Sequence, residues 1–221
     1  MGKKRIGVVL CGAGHRDGSE IHEATCTLLA IDRAGAEAVC ISPKGEQRFV
    51  RDHASGEESG ERRDMFAESA RISRGDLTDL KLAKAAELDA LIIPGGQGAG
   101  LNLSSFLVDG ENCSVNPDLA RLVTDMCAAK KPVGAVCIAP AILARILKDA
   151  GISARVTIGD DESVAGSIES MGHRHEKCPA TGCVADAENL IFTTPAYMNA
   201  RSIGEVWQGI EKLVAAIMET A

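Results

Sequence analysis

The chain has 221 residues, enough for one large α/β domain, with 45% apolar but only 3% aromatic residues, so Val, Ile, Leu and Ala must fill its core. A formal net charge of −7 argues against nucleic acid or an anionic membrane as its main partner. No stretch approaches the roughly 18 consecutive apolar residues of a membrane-spanning helix, and eight cysteines without C-x-x-C spacing suggest reduced thiols in the cytoplasm or an organelle matrix.

The opening "MGKKRIGVVL" is basic, but its apolar run is too short for a signal peptide, and residues 5–10 predict a buried strand. The glycine-rich turn "CGAGHRDG" follows. Asp17, with Glu20 three residues on, has capping-box spacing, so a helix is expected from there to about Ala34, ended by Gly35. Residues 36–42 read as a second strand, 43–60 as a loop or peripheral hairpin, and 61–72 as a short helix. "LDALIIP" (88–94) is a third strand, halted by "PGGQGAG", and 98–116 reads as a long irregular segment. Residues 116–131 predict a helix, with Leu119, Leu122, Val123 and Met126 at core spacing.

Strand 132–136 then runs into Cys137, and a helix is expected from about Ile138 to Lys148. "ARVTIG" predicts a strand, "ESVAGSIESMG" a helix closed by Gly172, and "HEKC" with "CVAD" a hairpin. The strand "LIFTTP" follows. In the last helix Ile203, Val206, Ile210, Leu213, Val214 and Ile217 form one apolar stripe. Strands alternating with helices predict one domain throughout: a doubly wound, mostly parallel, flavodoxin-like sheet with helices on both faces. Sites in such sheets form outside the carboxyl ends of the strands. Three of those ends, "CGAGHRDGSEIHE", "PGGQG" and "VCIAP", carry unusual chemistry.

The first turn nearly matches a dinucleotide fingerprint, but its third glycine is Asp17, whose carboxylate would oppose a pyrophosphate. A tight turn before a capped helix suits it better. Glu23 sits in the next helix: it either faces water or, turned toward a dry pocket, has a raised pKa and stays protonated. Cys137 falls where a strand turns into a helix, a place that exposes sulfur above the sheet beside backbone N–H groups, lowering a thiol pKa and holding an oxyanion. "AVCIA" lacks the glycines of a serine-hydrolase nucleophile elbow, and a buried core cysteine is the alternative. His173, His175, Cys178 and Cys183 fit no standard zinc spacing, so no metal site is expected.

"GSEIHEA", "LDALIIPGGQGAGLNLSSF", "VCIAPAIL" and "TTPAYM", at these separations, resemble the PfpI-type superfamily, relatives of the Parkinson-associated deglycase with a class I glutamine-amidotransferase-like fold. Within it the chain is similar to the ElbB-like glyoxalases, over nearly its whole length. The resemblance implies Cys137 as nucleophile, Glu23 as its protonated carboxyl partner, and the backbone N–H groups of Gly96 and Ile138 as an oxyanion hole. One departure stands out: the histidine many relatives carry past the elbow helix would fall near Gly159, and none is there. His22, His15 and His175 are the candidate proton relays in its place.

The implied activity is a glyoxalase III-like lyase that needs no glutathione or other cofactor. It would convert glyoxal, and related small dicarbonyls, to hydroxy acids through a cysteine hemithioacetal, as a cytoplasmic homodimer. The alternative is a non-enzymatic redox-sensing or regulatory protein with Cys137 as its switch. A glutamine amidotransferase needs a late His-x-Glu pair, but Arg174 stands two residues before Glu176. A peptidase reading lacks its histidine.

Overall fold

Short apolar runs, each stopped by a turn, build the sheet. The structure is a computed structural model that describes residues 2–221. Its elements in chain order are β1 (Arg5–Val9), α1 (Ile21–Arg33), β2 (Glu37–Ser42), α2 (Met65–Ser73), β3 (Thr78–Asp79), β4 (Ala90–Ile93), α3 (Gln97–Leu101) and α4 (Phe106–Asp109). Then come α5 (Pro117–Ala128), β5 (Val133–Val136), α6 (Ala139–Asp149), β6 (Arg155–Val156), α7 (Glu162–Ser170), β7 (Arg174–His175), β8 (Val184–Asp186), β9 (Ile191–Thr194) and α8 (Ile203–Thr220).

Seven strands form one sheet in the order β3-β2-β1-β4-β5-β9-β8, parallel except for β8 on β9. The doubly wound α/β fold is therefore as expected. Every residue of β4, β5 and β9 is buried, which is the signature of parallel strands covered on both faces. Helix α1 packs beside α8, while α5 packs against α6 with both on β5. The chain leaves β1 toward β2 and leaves β4 toward β5 on the other side. Neighbours β1 and β4 thus flank the topological switch point, where crevices open in such sheets.

Several local expectations need correction. The cap of α1 is Glu20, not Asp17: the Glu20 carboxylate accepts the Glu23 N–H at 2.7 Å. Asp17 is instead buried and accepts the Arg51 N–H, stapling the first loop to a distant one. No hairpin joins "HEKC" to "CVAD": β7 pairs in parallel with β6 in a separate two-stranded sheet, and β8 pairs with β9. Only Arg155–Val156 of "ARVTIG" is strand. The segment expected to be irregular holds α3 and α4, and the two-residue strand β3 was not foreseen. In α8, Ile203 is half exposed, while Val206, Ile210, Leu213, Val214 and Ile217 are buried as the stripe predicts.

Candidate active site

Four strand ends meet above the sheet. After β5 the chain turns at Cys137 with φ +62°, a left-handed conformation that costs a side-chain-bearing residue about 1–2 kcal/mol. The turn is held by the Cys137 N–H, which donates to the Thr194 carbonyl at the end of β9 (2.9 Å). The left-handed backbone lifts the sulfur off the strand, so the thiol lines a cavity of about 330 Å³ although the residue is only 8% exposed. Ala196, in the turn after β9, is also left-handed, at φ +43°. Two such residues without glycine's freedom, just past the ends of the paired strands β5 and β9, mark the kind of local strain that clusters at functional positions.

Glu23 is completely buried in the first turn of α1. Its Oε2 accepts the Gly95 N–H (3.0 Å), its Oε1 accepts the Tyr197 N–H (3.3 Å), and the carboxyl is hydrogen-bonded to the Cys137 side chain. Gly95 permits this approach: a Cβ there would lie 2.5 Å from the Cys137 Cβ and 2.7 Å from Glu23 Oε2. Burial, reinforced by the charge of Glu20, pushes the Glu23 carboxyl up to about 8, so it is protonated at neutral pH. The carboxyl therefore does not face water; it is enclosed among Gly95, Tyr197 and Cys137, behind the cavity that the sulfur lines.

Burial also pushes the Cys137 thiol well above its ordinary value, and the Glu23 charge adds to the rise. The backbone N–H groups of Gly96 and Ile138 hydrogen-bond the sulfur and pull the other way. The elbow alone was expected to make an acidic thiol; its desolvation outweighs the two N–H donors. The thiol and carboxyl together therefore accommodate one negative charge, since ionising either makes ionising the other harder.

The histidines divide. His15 lines the Cys137 cavity, and its pKa is lowered, mainly by burial and then by the neighbouring His53 and Arg16, so its ring is neutral at pH 7 and able to accept a proton. His22 lines an adjoining cavity, where its Nδ1 lies 2.7 Å from the Tyr197 hydroxyl. His175 lines neither cavity. Its Nε2 accepts the Ile158 N–H just beyond β6, which removes it from the relay candidates. At the empty histidine position, Gly159 (φ +93°) packs against Asn199 and Pro195, and a Cβ would already lie 2.9 Å from Asn199 Nδ2. His173 is buried between the Ala144 carbonyl and the Ala154 N–H, and among the described residues no group of three or more His, Cys, Asp or Glu could hold a metal ion.

Four polar residues of the site carry no functional signal in the sequence. Glu20 and Tyr197 line both cavities, and Asp161 and Gln97 line the one containing Cys137. The sequence marks Glu20 only as part of a cap. Tyr197 reaches Glu23 through its backbone N–H, a contact that leaves no mark in a side-chain pattern.

No protein-family model matches the chain. It is 38% identical to the rat (Rattus norvegicus) "ES1 protein homolog, mitochondrial", over 98% of this chain and 84% of the relative. It is also 38% identical to the human (Homo sapiens) "Glutamine amidotransferase-like class 1 domain-containing protein 3, mitochondrial", over 97% of this chain and 82% of that one. The crystal structure of an isoprenoid biosynthesis protein with an amidotransferase-like domain from Ehrlichia chaffeensis superposes with a TM-score of 0.91 at 39% identity, covering 98% of this chain and all of that one. Drosophila melanogaster DJ-1beta shares the fold at 16% identity and a TM-score of 0.57, over 99% of this chain and 96% of that one.

Proposed function

The chain belongs to the ES1 branch of the DJ-1/PfpI superfamily, with its class I glutamine-amidotransferase-like fold, and from that premise we propose that it is a thiol-dependent glyoxalase acting on glyoxal and related small dicarbonyls without glutathione. One observation carries the reading. A cysteine on a left-handed elbow faces a buried, protonated carboxyl and two backbone N–H groups at the floor of a cavity.

The chemistry follows from the proton inventory. A neutral carboxyl both donates and accepts, so Glu23 can take the thiol proton on one oxygen while passing its own to the aldehyde oxygen. The sulfur adds to the aldehyde carbon and gives a hemithioacetal. Its oxygen is stabilised by the Gly96 and Ile138 N–H groups, which hold the sulfur in the free site and lie within reach of the new centre. A proton then leaves the hemithioacetal carbon and returns to the neighbouring carbon through an enediol, with His15 or Glu23 as the carrier. The product of that shift is a thioester of glycolate. Water hydrolyses it, releasing glycolate and restoring the thiol.

Purified protein should convert glyoxal to glycolate with no added cofactor, and Cys137→Ser should abolish conversion, because a hydroxyl is far less ionised than a thiol in the same place. Equal glyoxal consumption by the wild type and Cys137→Ser would transfer the role to the redox-switch reading. That second reading draws on the same carboxyl: a protonated Glu23 beside the sulfur can hydrogen-bond an oxidised form. A cytoplasmic or mitochondrial setting is part of the proposal, the latter because the rat and human relatives are named as mitochondrial. No helix among the described residues is long and apolar enough to cross a membrane.

A further inference from the structure

Two cavities of about 330 Å³ each adjoin at the mouth of the site, sharing His15, Glu20 and Tyr197. Each amounts to about ten times a water molecule's share of liquid volume. Pockets of this size begin to enclose drug-sized ligands, so glyoxal leaves most of the space unfilled. The charge on the walls is one-sided. Glu20 lines both cavities, Asp161 lines the one holding Cys137, and neither is lined by a lysine or arginine. The shared His15 is neutral at pH 7, for the reasons of burial and neighbouring His53 and Arg16 given above. Asp161 caps α7 through Oδ1, which accepts the Val164 N–H (2.9 Å), and is otherwise exposed.

We infer that the site selects carbonyl compounds whose remainder is neutral or cationic, with the carbonyl carbon at Cys137 and an ammonium-type group directed toward Glu20 and Asp161, and that it rejects carbonyls bearing a carboxylate or phosphate. Carboxylates at the mouth of a low-dielectric cleft concentrate cations and repel anions. This inference deepens the function proposed above and rests on it in taking Cys137 as the group that meets a carbonyl carbon; the charge selection itself rests on the cavity walls.

Because it concerns access to the sulfur, it can be tested without turnover. Wild-type protein is treated separately with two methanethiosulfonates, one carrying a trimethylammonium and the other a sulfonate. Modification of Cys137 is followed by peptide mass spectrometry, and each rate is divided by that of a small free thiol. The cationic reagent should be favoured by about tenfold, the scale on which charged clefts change encounter rates. Asp161→Asn should lower that preference by about threefold, as should Asp161→Ser, both of which keep a side-chain oxygen to cap α7. A normalised preference of one or less in the wild type, or one unmoved in both variants, overturns the inference. Failure to turn over glyoxal with the charge preference intact sinks the glyoxalase reading and leaves the charge selection of the cavity standing.

Discussion

Replacing Glu23 by Gln removes an ionisable group from the interior without changing its size, and the structure fixes the sign and scale of the result. The carboxyl has its pKa raised from the 4.5 of a free side chain to about 8. Between those values the folded protein holds a proton that the unfolded chain has released, so stability is full below the lower pKa and declines as pH rises through the folded value. Each pH unit in that window costs about 1.4 kcal/mol. From pH 5 to pH 8 the wild type should therefore lose about 3 kcal/mol relative to Glu23→Gln. A glutamine presents an NH2 to either the Gly95 or the Tyr197 N–H, since each carboxyl oxygen now accepts one of them. That mismatch costs about 1–3 kcal/mol at every pH, so it moves the offset between the two proteins but not its slope. Urea unfolding of both at pH 5 and pH 8 isolates the slope, because all other titrations are shared. An offset unchanged between the two pH values would mean that Glu23 is ionised in the folded protein, and the proton-relay chemistry would fall with it.

Two further outcomes bear on the site and the assembly. Gly95→Ala forces a methyl into van der Waals overlap with the Cys137 Cβ and Glu23 Oε2; activity should vanish and stability fall by about 1–3 kcal/mol in urea melts, whereas near-normal turnover would refute the close packing of the pair. We also propose a homodimer, with the exposed Leu107 and Val108 of α4 at or beside the cavity mouth as its contact, so light scattering at micromolar concentration should return twice the chain mass of 23.1 kDa, and a strict monomer would exclude it.

Strands β1, β4, β5 and β9 are legible in the sequence because each is an apolar run stopped by a turn residue, and Cys137 stands out because it occupies such a stop. The start of α1 was not legible for a specific reason. Asp17 has the better capping chemistry, but tertiary structure takes its carboxylate for the Arg51 N–H, leaving the cap to Glu20. Strands β6 to β8 defeated the hairpin expectation because their partners are set by pairing across the fold, and two or three residues carry no periodicity that reveals it. The separation of His15 and His22 from His175 is likewise a property of the folded chain, since equal residue types in polar segments look alike until they are placed. Backbone donors are the extreme case: Gly95 and Tyr197 act through an N–H that every non-proline residue owns, and Gly96 and Ile138 are reached only through the family resemblance.

The hydrogen bonds that assemble the site also set when it can form. Glu23 is bound by residues 72 and 174 positions further along the chain, and the Cys137 N–H is fixed by Thr194 across the whole excursion that contains α6, α7 and β8. Contacts of such separation require large loops to close before any reward is collected, and folding slows as they come to dominate. Local helices and the β1–β2 pair can form from neighbouring segments, whereas the elbow can lock only after β9 has docked against β5. Until that docking, Cys137 is a thiol on a flexible chain with neither its carboxyl neighbour nor its N–H donors, and its chemistry during synthesis is that of an ordinary cysteine.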